Sequence, residues 1–253
     1  MINTWRSRDL KKISIQEKIM KKNNRFYKLS NFGMLGKIVI GLSLGVSISL
    51  NLWQWQKNKS NEAGNIGSVR VEAVIDGDTL VLDGDVRLRL RSIDAPELEN
   101  CGGREAKEEL EKSVGGKTVR IKEQIIDKWG RPMALIYVDN DLINEKLVGL
   151  GLARFHNDTT TETERLKAAY NKARRGGLGI WSEKCQQKEN KKNPKCDIKG
   201  NIDDNARDRK LYYYPGCAQY KFTVVELDMG EQWFCDKTEA EKAGFVKSKT
   251  CPN

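Results

Sequence analysis

The 253-residue sequence predicts an α+β protein built on a small five-stranded β-barrel of the OB kind, with three helices packed against it. Short strand patterns follow one another from Val69, and an Asp-Gly turn separates two of them. A helical pattern over residues 104–114 comes next and ends at a Gly-Gly pair. Two more strand patterns then precede two helical patterns, over residues 141–153 and 161–176. This order is typical of a closed antiparallel barrel covered by helices.

Shifts in composition divide the chain into six segments. They are a basic cytoplasmic arm over residues 1–37, a transmembrane anchor over 38–55, a linker over 56–68, the barrel domain over 69–184, a charged linker over 185–195 and a small cysteine-containing domain over 196–253.

The anchor prediction depends on Ile38–Trp55, which contain no charged residue and are about as long as the roughly 17–25 residues of a membrane-spanning helix. The basic arm should stay in the cytoplasm, which leaves the remaining chain outside. Residues 1–68 hold 12 Lys and Arg against 3 Asp and Glu, a net charge of +9, whereas residues 69–184 hold 20 against 21. The positive charge therefore indicates orientation more than nucleic-acid binding. A cleaved signal peptide with secretion, or an amphipathic or buried segment, is the alternative.

Five charged residues suggest chemistry at one end of the barrel. Asp78 precedes a strand pattern, Asp94 and Glu97 follow another, and Arg89 and Arg131 lie in or beside strands. Each alone has a structural explanation in a turn or on a solvated face. Together, carboxylates that hold a hard cation and arginines that clamp phosphate indicate metal-assisted phosphodiester hydrolysis. The chain has a single histidine, which excludes nucleases that use paired histidines.

The motifs IDGDT, RLRSIDAPE, KWGR and GIWSE resemble the staphylococcal nuclease (thermonuclease) family in order, spacing and chemistry. The resemblance covers roughly residues 69–184. It implies that Asp78, Asp94 and the Ala95 carbonyl bind Ca²⁺, that Glu97 activates water, and that the two catalytic arginines are those named above.

The same resemblance implies a calcium-dependent endonuclease that cleaves DNA and RNA, leaves 3′-phosphates and acts outside the cytoplasm. We expect a monomer. A catalytically inactive module that binds nucleic acid or protein at the cell surface is the alternative, although all five charged residues are present.

The nucleotide-binding wall departs from the family pattern. The family often places tyrosines where this chain has Arg154, Phe155 and His156. Phe155 is a candidate for base stacking and His156 for a phosphate contact, each against a structural alternative. Lys128 and Trp129 are weaker nucleic-acid-binding candidates beside the pocket.

The six cysteines are candidates for disulfides or for a zinc site. They are Cys101, Cys185, Cys196, Cys217, Cys235 and Cys251. The first two lie at the outer ends of the helical part of the barrel domain, so a disulfide between them is one option beside free thiols and other pairings. The last four belong to a segment that resembles a small nuclease-associated domain related to the zinc-binding module of the Ada repair protein. An even count outside the cytoplasm favours disulfides there.

Overall fold

The computed structural model describes residues 65–203 and 209–252, all of which belong to one compact unit. The barrel domain contains eight strands, three α-helices and a 3-10 turn at Gly179–Trp181. In chain order these elements are β1 Asn65–Val74, β2 Thr79–Leu82, β3 Val86–Leu90, β4 Ile93–Asp94, α1 Gly103–Val114, β5 Thr118–Ile126, β6 Pro132–Val138, β7 Asp141–Leu142, α2 Ile143–Gly149, β8 Arg154–Phe155 and α3 Thr163–Arg175.

Five of these strands form a closed barrel, as the sequence predicts. The strand order is β3-β2-β1-β5-β6, and a parallel pairing of β3 with β6 closes the ring. The closing register sets Arg89 opposite Met133 and Leu90 opposite Ala134. Because the ring is closed, β3 and β6 pair with each other and are not free edges of the sheet. Closure also brings the ends of β2, β3 and β6 to one rim.

Alternation along the strands directs apolar side chains into the barrel, where Leu88 and Leu90 of β3 are buried while Arg87 is exposed. Helix α2 is tied to this core by the buried amide of Asn144. Its Oδ1 accepts the N–H of Ile136 at 3.0 Å, and its Nδ2 donates to the carbonyl of Arg91 at 2.8 Å. These bonds connect the helix to the barrel strands that carry the rim.

The predicted barrel and its three helices are confirmed, with small differences in their bounds. Helix α2 is shorter than the predicted 141–153, because Asp141 and Leu142 pair with β6 and glycines follow at 149 and 151. Strand β1 begins at Asn65, inside the segment predicted as a linker, because it pairs with β5 from that residue onward.

The C-terminal lobe, residues 196–252, has its own small core beneath a four-stranded sheet, whose strands in spatial order are Gln232–Phe234, Ile198–Asp203, Arg209–Tyr213 and Val246–Lys247. Preceded by β9 Gln186–Gln187, its elements are β10 Ile198–Asp203, β11 Arg209–Tyr213, β12 Val225–Glu226, a 3-10 turn Leu227–Met229, β13 Gln232–Phe234, α4 Lys237–Lys242 and β14 Val246–Lys247. Strand β9 lies in the predicted 185–195 linker, yet it pairs with β12. The polar composition of that segment conceals this pairing.

All six cysteines form disulfides, which decides between the disulfide and zinc alternatives. The pairs are Cys101–Cys185, Cys196–Cys235 and Cys217–Cys251. The first joins the start of α1 to the segment that leads out of the barrel domain, and the other two cross-link the lobe. A domain this small needs such links, because its apolar core is slight.

The predicted anchor, residues 38–55, lies outside the described residues. Among the residues that are described, no helix is both long enough and apolar enough to span a bilayer.

We predict that the lobe depends on its disulfides and not on zinc. Replacing Cys217 and Cys251 together by Ser should lower the free energy of unfolding by about 2–5 kcal/mol, because the cross-link restricts the unfolded chain. Urea titration followed by tryptophan fluorescence measures this loss. A zinc-selective chelator serves as the control and should leave the wild-type transition unchanged; a large shift with the chelator would contradict the disulfide assignment.

Candidate active site

The loop before β2 carries a carboxylate into the protein interior. Asp78 is only 1% exposed. Its backbone N–H donates to Asp76 Oδ1 at 3.1 Å, and the Thr79 hydroxyl donates to its Oδ1 at 3.0 Å. Its Oδ2 accepts the N–H of Ala95 at 2.8 Å. The Asp78 side chain therefore joins the start of β2 to the segment after β4.

Arg89 bridges Asp78 and Asp94 from the outer face of β3. Its Nη1 lies 2.8 Å from Asp78 Oδ1, and its Nη2 contacts Asp94 Oδ1. The antiparallel register places Arg89 opposite Thr79, next to Asp78 in the chain. Asp78, Arg89 and Asp94, which the sequence predicts to share one site, are therefore joined through the Arg89 guanidinium.

The burial of Asp78 dominates the electrostatics of this cluster. Burial raises the pKa of Asp78 to about 7, while the Arg89 charge and the Ala95 N–H act in the opposite direction. The neighbours therefore offset only part of the effect of burial on the pKa of Asp78. Two carboxylates and the Ala95 carbonyl are hard oxygen donors of the kind that Ca²⁺ prefers, so the predicted ligand set fits the ion chemically.

The number of acidic side chains at this site is small. Within residues 65–203 and 209–252, no group of three or more His, Cys, Asp or Glu side chains is close enough to hold a metal ion. The predicted set contains two such side chains, Asp78 and Asp94, and a backbone carbonyl.

Glu97 shares a pocket with Asp94 and Ala95, two of the three predicted ligands. The pocket measures about 130 Å³, and its lining comprises Asp94, Ala95, Pro96, Glu97, Asn100, Arg154, Asp228 and Met229. Pro96 is buried and Glu97 exposed, while the Glu97 carbonyl accepts the N–H of Asn100 at 2.9 Å. The tight turn after Pro96 therefore holds Glu97 beside Asp94 and Ala95.

Arg131 lies in the turn between β5 and β6 and pairs with Asp127 instead of joining the cluster. Its Nε donates to Asp127 Oδ2 at 2.7 Å, and its side chain remains 50% exposed. Arg131 is two residues before Met133, which pairs with Arg89 in the closing register of β3 and β6. Arg131 therefore lies at the same end of the barrel, engaged with another anion.

Lys128 and Trp129 project from the same turn, and Trp129 is 68% exposed. The Lys128 ammonium lies 4.1 Å from the centre of the Trp129 ring, and the Arg131 guanidinium lies 4.8 Å from it. The turn thus presents an aromatic face flanked by two positive charges, a combination typical of nucleic-acid contact surfaces.

Phe155 and His156 differ in their surroundings. Phe155 is half-buried, pairs with Ile93 and packs against the barrel core and Tyr170. His156 is exposed, and its backbone N–H donates to the Ser92 carbonyl at 3.1 Å. Neither residue belongs to the pocket lining.

Arg154 and its acidic partners are the part of the site that sequence reasoning did not find. Arg154 lines the pocket together with Asp228 and Met229 of the C-terminal lobe. The departure from the family's tyrosines marked this position, but no local pattern pairs Arg154 with a carboxylate 74 residues away. Arg91 is the reverse case: it lies near the site in sequence, yet its guanidinium forks onto Asp158 and is buried.

Close packing at Gly77 holds the Asp78 loop in place. A Cβ atom at this position would lie 2.6 Å from both the Ala95 and the Ala106 Cβ atoms. The loop, the predicted metal ligand Ala95 and helix α1 therefore approach each other at a distance that only glycine allows.

The barrel domain matches known proteins over the region that carries these residues. The family model for the staphylococcal nuclease homologue matches residues 87–183. An uncharacterized endonuclease of Escherichia coli O157:H7 is 35% identical over 118 residues, which are 45% of this chain and 76% of that relative. The thermonuclease of Staphylococcus hyicus is 32% identical over 126 residues, which are 45% of this chain and 75% of the relative.

A longer relative matches over the same part of this chain. An uncharacterized 38.1 kDa protein of Capnoides sempervirens is 38% identical over 122 residues, 46% of this chain. The matched region spans only 35% of that relative's length.

We predict that Gly77→Ala destabilises the protein by about 1–3 kcal/mol, the range for an added methyl group in a well-packed interior. Urea unfolding measures the change. Gly67→Ala is the matched control, since a Cβ at Gly67 meets no atom within 4 Å. Equal stabilities of the two variants would show that the loop does not need this close approach.

Proposed function

Because the chain belongs to the staphylococcal nuclease family, we propose that it is a calcium-dependent endonuclease that hydrolyses phosphodiester bonds of DNA and RNA and leaves 3′-phosphates. The observation that carries this proposal is the contact of Arg89 with both Asp78 and Asp94, next to the pocket that Glu97 lines. Family membership implies a nuclease; the metal, the substrates and the product are the proposal.

Asp78, Asp94 and the Ala95 carbonyl would hold Ca²⁺. When bound, the ion supplies positive charge that polarises the phosphate and orients it. The Asp78 carboxylate is buried, and the hydrogen bond that it accepts from the Ala95 N–H keeps Ala95 in place. The residues of the chain perform the remaining chemistry.

Glu97 is the general base in this mechanism. It accepts a proton from the attacking water, whose oxygen bonds to phosphorus while the bond from phosphorus to the 5′ oxygen breaks. The 5′ oxygen takes a proton from solvent and leaves, Glu97 releases its own proton to solvent, and the phosphate remains on the 3′ side. The exposure of Glu97 at the pocket gives water direct access to its carboxylate.

Arg89 and Arg131 neutralise the negative charge that grows on the phosphate oxygens in the transition state. Both guanidiniums now contact carboxylates, and a phosphate is an alternative anion with the same forked geometry. We also assign contacts with the nucleic acid to Lys128, Trp129 and His156, which are exposed near this end of the barrel. The protein acts as a monomer in this proposal.

The first test is calcium-dependent digestion by the purified full-length protein. Plasmid DNA, single-stranded DNA and RNA should be cleaved at about millimolar Ca²⁺, the affinity range of weak extracellular sites. A chelator should stop cleavage and added Ca²⁺ should restore it, with 3′-phosphate ends identified by their resistance to polymerase extension until a phosphatase is added. Undiminished cleavage in chelator would exclude this mechanism.

Substitutions with neighbouring controls test the assigned roles. Glu97→Gln and Arg89→Lys should each lower kcat by about 10²–10⁴-fold, the range for a lost base or transition-state donor. Glu99→Gln and Arg87→Lys are the matched controls, because Glu99 is exposed outside the pocket lining and the exposed Arg87 is not the arginine that contacts Asp78 and Asp94. Equal losses in the controls, or no loss in Glu97→Gln, would contradict the assignment.

We also propose that residues 38–55 anchor the protein in a membrane and that the barrel domain faces outside the cytoplasm. The three disulfides support this location, because such bonds persist in oxidising compartments. Secretion after cleavage of the N-terminal segment remains the second option.

Protease accessibility tests this location. Protease added to intact spheroplasts should digest the barrel domain and spare the N-terminal arm, and the protein should remain in the membrane fraction after a high-salt wash. A barrel domain that resists protease until the cells are lysed would contradict the proposed orientation.

A further inference from the structure

The C-terminal lobe reaches the candidate active site through its turn Leu227–Met229. The Leu227 carbonyl accepts the N–H of Cys101 at 3.2 Å, and the Leu227 N–H donates to the Cys185 carbonyl at 2.9 Å. These two cysteines form the disulfide of the barrel domain. The turn is therefore hydrogen-bonded to both sides of a covalent cross-link, which fixes its position.

Asp228 of this turn holds Arg154. Arg154 Nε donates to Asp228 Oδ2 at 2.8 Å, and its Nη2 donates to Glu226 Oε2 at 2.9 Å. The other oxygen of Asp228 accepts a hydrogen bond from Gln186 Nε2 at 2.9 Å, and the Arg154 guanidinium lies 4.6 Å from the centre of the Trp181 ring. Asp228 is 2% exposed, so Arg154 is oriented by an almost fully buried partner.

This arrangement leaves Arg154 poorly suited to binding phosphate itself. Two carboxylates contact one guanidinium, so the trio carries a net charge of −1 when all three groups are ionised. The half-buried Met229 and the buried Pro96 instead give the pocket an apolar wall next to Asp94 and Glu97. Methionine adapts to irregular surfaces and makes favourable sulfur contacts with aromatic rings, so it suits the face of a base or the carbon atoms of a sugar.

We propose that the C-terminal lobe completes the substrate site: Met229 contacts the sugar or base beside the scissile phosphate, and Arg154, Asp228 and Glu226 position that wall. This inference rests on the proposed function. The pocket of about 130 Å³ is smaller than the roughly 300 Å³ of a pocket for a whole small ligand. The pocket therefore accepts part of one nucleotide. The apolar wall of Met229 and Pro96 sets the affinity for substrate and not the rate of phosphodiester cleavage.

The experiment compares full-length variants on a short fluorescent single-stranded DNA in Ca²⁺. Met229→Ala should raise KM by about three- to tenfold with kcat within about twofold, the pattern of lost uniform binding. Met229→Trp fills the pocket and should raise KM further. Arg154→Ala and Asp228→Asn should also raise KM, with partial rescue in Arg154→Lys, which keeps the charge.

The control is Asp203→Asn, which removes the carboxylate that pairs with Arg209 in the same lobe but outside the pocket lining. Its KM should match the wild type. Circular dichroism melting of every variant separates misfolding from a local effect.

The dissociation constant of the same oligonucleotide, measured by fluorescence anisotropy, provides a second readout that does not require catalysis. If the wild type does not cleave but Met229→Ala and Met229→Trp weaken binding, the proposed function fails while the lobe's role stands. If the wild type cleaves and neither Met229 variant changes KM or the dissociation constant, the inference is overturned while the nuclease assignment stands.

Discussion

The buried carboxylate of Asp78 is the interaction on which the candidate site depends. It contacts Arg89 of β3, the N–H of Ala95 after β4 and the hydroxyl of Thr79 at the start of β2. Three segments of the rim are thereby joined through a single side chain. Burying such a group is unfavourable unless its charge is compensated, and burial raises the pKa of Asp78 to about 7 although Arg89 and the Ala95 N–H act in the opposite direction.

The rim also explains why a small barrel can position several charged groups. Parallel closure between β3 and β6 places Arg89 near the turn that carries Arg131, and the short β4 holds Asp94 against β8. Arg89 and Arg131 both rest on carboxylates, so neither positive charge is left without an anion in the free protein. Replacing the carboxylate partner of an arginine by a phosphate costs less electrostatic free energy than leaving the two arginines close together without any anion.

The C-terminal lobe supplies the ionic partners of Arg154, a residue at which the chain differs from the expected family pattern. Arg154 lies in the segment 154–156, which departs from the family pattern expected from the sequence, and its partners Glu226 and Asp228 come from the lobe instead of the barrel. The Cys101–Cys185 disulfide lies where the two parts meet, since both cysteines hydrogen-bond to Leu227. Arg154, the Cys101–Cys185 disulfide and the C-terminal lobe are therefore structurally connected. The segment predicted as a polar linker between the barrel domain and the lobe contains the paired strand β9.

The sequence by itself determined the barrel, its three helices and the proximity of Asp78, Arg89 and Asp94, because strand alternation and turn chemistry act over a few residues and specify register. Only the tertiary structure decided the cysteine pairing, the engagement of Arg131 by Asp127, the separate structural role of Arg91 and the contact of Asp228 with Arg154. The cysteine pairing and the contacts of Arg91 and Asp228 depend on which surfaces meet after folding, whereas Arg131 and Asp127 lie four residues apart in one turn. Residues as far apart as Arg154 and Asp228 leave no periodic signal in the chain, so their contact could be seen only once the lobe was placed on the barrel.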